Sequence, residues 1–294
     1  MKKILTTIAV LAALTACKKQ DFYEVPTMPG TDTPIENPTR LTVTTHDESS
    51  VTENITVHLL TAEGTEVEAT FEPETTVDVE AGEYIILKAN DPWEGAEFNA
   101  PIVTLPTTAA RAGDAFVSSA PDIHAGYEFV KLDANEHHEY EIALEHYTRS
   151  LRFSVILAGL TAESLSSISY DLTGARTSIS LIKPFGPDAS TGSATLTGRF
   201  DAPAADAGGS LTASATARLL GLDLTAPQLT VTASLADGST QSVTLDVTRL
   251  LTDFYRLAVD EFIELRANLS FGIEGMTGSI EGWTPGWDED VEGN

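Results

Sequence analysis

The chain has 294 residues, of which 42% are hydrophobic and 7% aromatic, enough to bury the core of one or two domains. Seventeen Lys and Arg stand against 44 Asp and Glu, a formal net charge of −27. Such a surface repels nucleic acid and anionic lipid head groups, and a lone cysteine leaves no CxxC pair and excludes a cysteine-based zinc site.

Residues 1–16, MKKILTTIAVLAALTA, place two lysines before an uncharged, largely apolar run that ends in small residues. This is the layout of a bacterial export signal. The run is shorter than the ~20 residues a permanent spanning helix needs. Leu14-Thr15-Ala16-Cys17 resembles the lipobox of bacterial lipoproteins. That resemblance implies cleavage before Cys17, a diacylglycerol on its thiol and an acyl chain such as palmitate on the new amino terminus. The alternative is an ordinary signal peptide with a chance cysteine. Residues 17–40 carry Pro26, Pro29, Pro34 and Pro38 and no apolar period, which reads as an extended tether.

From Leu41 the apolar residues recur with period two. LTVTT (41–45), ITVHLL (55–60), VEATF (67–71) and TTVDV (75–79) read as strands. EAGEYIILKAN (80–90) reads as a tight turn permitted by Gly82 and then a core strand. Residues 91–127 are irregular and proline-punctuated, with IVTL (102–105) as a short strand. YEFVKL (127–132) follows, then the alternating stretch 139–160, with a domain change near Thr148. SISYDL (167–172), RTSISLI (176–182), SATLTGRF (193–200), LTASATARLL (211–220), QLTVTASL (228–235) and QSVTLDV (241–247) continue the pattern. TRLLTDFYRLAV (248–259) sets Leu250, Leu251, Phe254 and Leu257 at helical spacing. FIELRANLSFG (262–272) alternates most cleanly, and SIEGW (279–283) precedes an acidic tail, 284–294. At least twelve strands and one short helix predict an all-β chain of mostly antiparallel sandwiches, each sheet with one wet face. The divisions are 1–16 signal, 17–40 tether, 41–148 and 149–283 two sandwiches, and 284–294 tail; one larger sandwich is the alternative.

Catalytic motifs are missing: the sequence holds no GxSxG, P-loop, GxGxxG or HExxH. Glu136-His137-His138-Glu139 is the only local cluster of metal-ligand types. Adjacent histidines on a strand point to opposite faces, so a solvated turn is the plainer reading and no metal is expected. Asp288, Glu289, Asp290 and Glu292 lack the spacing of a calcium loop. Asn54-Ile55-Thr56 and Asn268-Leu269-Ser270 match a glycosylation acceptor by chance in a bacterial lipoprotein. Trp283 and Trp287 flank a Pro-Gly turn, as a sugar-stacking platform or as the cap of a core.

Taken in order, four features resemble the FimB-type fimbrial anchor or minor-subunit family of Bacteroidetes type V pili. They are the lipobox at Cys17, Val79-Glu80-Ala81-Gly82-Glu83-Tyr84, the stretch YTRSLRFSVILAGL (147–160) with the later Asp246-Val247-Thr248, and Gly-x-x-Gly-x-Ile-x-Gly-Trp at 275–283. The resemblance implies two tandem transthyretin-like antiparallel β-sandwich domains. It also implies a lipid-anchored, surface-exposed outer-membrane location, and partnership with other fimbrial subunits by β-strand addition. It implies no enzyme activity, no cofactor, no nucleic acid and no small-molecule substrate. In that family an arginine-specific protease removes the N-terminal strand of stalk pilins, and anchor subunits keep their lipid. Arg40, in NPTRLTVTT, is the candidate cleavage residue here. Cut there, the chain is a processed stalk or tip pilin; uncut, Arg40 is an ordinary charged residue at a strand start. A surface glycan-binding lipoprotein of a nutrient-uptake system is the competing reading.

Overall fold

A computed structural model describes residues 38–45, 54–109, 115–182, 192–205, 210–257, 261–272 and 275–287. Cys17, the signal, nearly all of the tether and residues 288–294 lie outside the described residues. The strands are β1 (Arg40–Thr45), β2 (Thr56–Thr61), β3 (Glu66–Phe71), β4 (Thr76–Asp78), β5 (Gly82–Ala89), β6 (Glu97–Asn99), β7 (Ile102–Thr104) and β8 (Thr108–Ala109). They continue as β9 (Ala115–Val117), β10 (His124–Leu132), β11 (His137–Ile142), β12 (Glu145–His146), β13 (Arg149–Ala158), β14 (Leu165–Arg176) and β15 (Ser178–Ser180). The last are β16 (Ser193–Arg199), β17 (Ala204–Ala205), β18 (Leu211–Leu219), β19 (Gln228–Leu235), β20 (Thr240–Asp246), β21 (Glu261–Gly272) and β22 (Gly275–Trp287). The all-β sandwich expected from period-two patterning is the fold observed.

In the first half, sheet β11-β1-β4 faces sheet β12-β10-β5-β2-β3 across a core of Leu41, Val43, Val57, Leu59, Ile86 and Leu132. In the second, β17-β18-β13-β21-β22 faces β20-β19-β14-β16-β9-β8. Each half repeats one arrangement. The opening strand lies between an antiparallel neighbour and a late parallel one: β1 between β4 and β11, and β13 between β18 and β21. Alternation fixes the faces. Along β13, Leu151, Phe153, Val155 and Leu157 are buried while Ile156 is partly exposed. Their partners across the ladder are Ala217, Ala215, Ala213 and Leu211, so small residues make room for Phe153, which packs on Tyr170 at 4.6 Å. Burying each such large side chain is worth about 1.5–3 kcal/mol.

Four details depart from expectation. The sheet β12-β10-β5-β2-β3 has no wet face over its middle. Ile86, Val57 and Leu59 point to the first core, while Leu60, Ile85, Leu87 and Ala89 join a larger cluster with Trp93, Val103 and Ile123. The unbroken Ile85-Ile86-Leu87 run is the signature of a strand buried on both sides. Gly82 opens β5 without a left-handed backbone; a β-carbon there would instead press on the Tyr84 ring at 3.2 Å.

Residues 248–257 form linked turns instead of a helix. Leu251 and Leu257 donate to carbonyls four residues back, but Phe254 and Arg256 donate to those three back. Thr252 Oγ1 also takes the Thr248 carbonyl at 3.1 Å, which competes with a continuous ladder. Helical spacing nevertheless located the buried pair, Leu251 and Phe254. Finally, β22 runs to Trp287, past the expected tail boundary at 284, because β21 supplies partners as far as Glu261.

Segment 97–117 pairs with strands from beyond Thr148. β7 joins β15, and β9 joins β16 in parallel. One hydrophobic cluster consequently runs from Leu60 and Leu87 through Val103, Val117 and Ile123 to Leu151, Phe153 and Leu265.

Candidate functional site

Arg40 opens β1. Its N–H donates to the Glu136 carbonyl at 2.8 Å, and its Nε lies 3.5 Å from Asp78 Oδ1, with both side chains about half exposed. Arg40 pairs with His137 of β11 on one side and Asp78 of β4 on the other. The Arg40–Leu41 bond thus sits in the middle strand of a sheet, with Leu41 and Val43 wholly buried beneath it. A protease must pair with an extended segment, and here both edges are already taken.

Past Gly126, β10 presents an edge. A β-carbon on Gly126 would collide with the Ala143 carbonyl, so only glycine lets the two backbones cross there. β12 pairs with His124 and Ala125 alone. Among the described residues no strand pairs with the outer side of Tyr127–Leu132, while β5 bonds the inner side along its whole length. Phe129 on this edge is 64% exposed and meets Tyr127 edge-to-face at 5.8 Å. Exposed Glu128 and Lys131 stand beside it.

The histidines part into separate environments. His137 Nε2 meets Thr42 Oγ1 at 2.9 Å, while His138 Nε2 accepts from the Asp133 N–H at 3.0 Å. They share no site, as strand alternation requires. His58 is buried between two carboxylates, with Nδ1 2.8 Å from Glu66 Oε1 and Nε2 3.0 Å from Asp91 Oδ1.

A third group was not legible in the sequence: Asp122, His124 and His146 each bring one ligand atom, all within 4.8 Å of one another. Asp122 Oδ1 is 3.5 Å from His124 Nε2 and 3.8 Å from His146 Nδ1, and the two imidazoles lie 3.8 Å apart. Arg218 of β18 stands 3.6 Å from the other oxygen, Oδ2. His124, with Arg218 and His146 behind it, holds the Asp122 carboxyl below its usual pKa against the opposing effect of burial. Asn90 fixes the local backbone: its Nδ2 donates to the Asp122 carbonyl at 3.0 Å, and its Oδ1 accepts the His124 N–H at 2.8 Å. Asp122 and His124 are two apart, which places them on one side of an extended chain, but His146 is their neighbour only through the β10–β12 register.

Trp283 and Trp287 stand in β22 opposite Leu265 and Glu261. No helix among the described residues is long and apolar enough to cross a membrane.

The arrangement has counterparts among solved structures. A candidate adhesin from Bacteroides ovatus superposes with a TM-score of 0.56 at 14% identity, covering 77% of this chain and 90% of its own. The fimbrial anchor protein Mfa2 from Porphyromonas gingivalis gives 0.53 at 14%, covering 84% and 99%. A candidate polysaccharide-binding protein from Bacteroides thetaiotaomicron gives 0.50 at 12%, covering 86% and 99%. The chain shares their fold. No protein-family model matches the sequence, and no curated protein is significantly similar to it.

Proposed function

We propose that this chain is a non-catalytic fimbrial anchor or minor subunit of the FimB type. In this reading it is held at the outer-membrane surface by lipid on Cys17 and joined to neighbouring subunits by β-strand addition. Its two transthyretin-like sandwiches are built mainly from 41–148 and 149–283, with β8 and β9 of the first part joining a sheet of the second. The observation that carries the reading is the fold, shared over 84% of this chain with the fimbrial anchor protein from Porphyromonas gingivalis. The lipobox at residues 14–17 supports it. Two or three lipid chains hold a protein stably where one holds it only marginally.

The position of Arg40 favours an anchor over a processed pilin. Cleavage after it would require β1 to leave both β4 and β11 and expose Leu41 and Val43. A neighbouring subunit's strand instead finds an outer edge along Tyr127–Leu132 that no strand among the described residues occupies, where added main-chain bonds give affinity and alternate side chains give specificity. The glycan-binding reading gains little, because half-buried Tyr127 and exposed Phe129 stand edge-to-face and offer no flat platform.

Mass spectrometry of the amino terminus of the protein, taken from its native membrane, tests the proposal. An acylated Cys17 is the expected start; a start at Leu41 would mean a processed pilin and sink the anchor reading.

A further inference from the structure

The Asp122–His124–His146 group has the dimensions of an ion site. Its separations of 3.5 and 3.8 Å exceed the ~2.7–3.2 Å of an N–H···O hydrogen bond. They approach the ligand-to-ligand edge of about 3.4 Å in a tetrahedron with metal–ligand bonds near 2.1 Å. At 3.5 and 3.8 Å, Asp122 Oδ1 is near enough to both ring nitrogens for one cation to bridge them.

We propose that Asp122 Oδ1, His124 Nε2 and His146 Nδ1 bind one divalent first-row transition ion of the zinc type. Two imidazole nitrogens select such an ion over calcium or magnesium, which prefer all-oxygen sites. Three protein ligands leave a position for water or for a group from outside the chain. Asp122 and His146 are about 40% exposed at the side chain and give the ion a path in, while His124 is buried. The surroundings are built rather than incidental. Asn90 clamps the backbone on both sides of Ile123, and the Tyr147 N–H donates to the Ile123 carbonyl at 2.8 Å. Those bonds keep 122–124 and 146–147 in register. Arg218 engages Oδ2 and turns Oδ1 toward the histidines. Its charge opposes a nearby cation, so affinity rests on the two imidazoles.

The location gives the ion a structural consequence. Arg218 comes from β18 in the second half, and its own N–H donates to Ser119 Oγ at 2.8 Å. Metal binding therefore stiffens the seam where the first-half strands meet the second-half sheet. The inference is independent of the fimbrial reading and survives its failure.

The test uses the full-length chain, stripped with EDTA and dialysed against Zn2+ with excess Ca2+ present. One tight zinc equivalent per chain is expected. His146→Ala, at a half-exposed position, should lose it, and the His137→Ala/His138→Ala double variant should keep it. Wild type binding no more zinc than His146→Ala would overturn the proposal, as would loss of the equivalent in the double variant alone. A second readout guards against misfolding: Zn2+ should raise the Tm of the wild type and leave that of His146→Ala unchanged. An equal response in both would also overturn it.

Discussion

His58 shows how a single residue ties a strand to a loop. From β2 it reaches Glu66 of β3 through one ring nitrogen and Asp91, past the end of β5, through the other, and its ring edge meets Phe98 of β6 at 5.0 Å. Burial lowers its pKa, but the hydrogen bonds and charges of Asp91 and Glu66 outweigh that and leave it raised above 6.5. A raised pKa means that the folded state binds the proton more tightly than the unfolded state does. The stabilisation is full below about pH 6.5 and fades as pH climbs through the folded pKa. His58→Gln should cost about 1.5–3 kcal/mol near pH 6, the range for hydrogen bonds to charged groups. Urea unfolding at pH 6 and pH 9 should show that cost shrinking at the higher pH. A deficit that grows with pH would contradict the assignment.

At the scale of elements, the turn segment 248–257 matters more than its lack of helix implies. Phe254 is wholly buried, and Arg149, the wholly buried first residue of β13, donates from Nη2 to the Leu257 carbonyl at 2.6 Å. Its guanidinium also lies 5.4 Å from the Phe254 ring centre. Phe254→Ala should lower stability by about 3–5 kcal/mol; Leu250→Ala, at a half-buried position, should cost less in the same denaturation series. Period two placed nearly every long strand to within a few residues, because one buried face writes itself into the sequence. β6, β8, β9 and β17 were not legible, since strands of two or three residues carry too little period to stand out from irregular surroundings. Helical spacing at 250–257 identified the inward side chains and misjudged the backbone, because hydrogen-bond partners leave no mark on polarity. The Asp122–His146 group was hidden for a related reason: its third member arrives by strand register, which distant sequence does not encode locally.

At the scale of the whole molecule, the two halves are laced together. β7 and β9 come from the first part of the chain but pair with β15 and β16 of the second, and Tyr147 donates its hydroxyl to the Leu181 carbonyl at 2.7 Å. Burial pushes the pKa of that phenol well above its ordinary value, so it keeps its proton. Because one apolar cluster bridges both halves, differential scanning calorimetry should show one cooperative transition; two well-separated transitions would contradict this coupling.

The placement of β1 has a mechanical consequence. If the proposed anchor is lipidated at Cys17, the chain from that residue would enter β1 at its first residue, and a pull from the membrane would act along the strand. Six residue pairs join β1 to β11 in parallel register, and three more join it to β4. Load along the strand shears these bonds together instead of peeling them one by one. In such an anchor β1 would be the fastening that a towed fibre strains first, and it is seated where failure requires many bonds to yield at once.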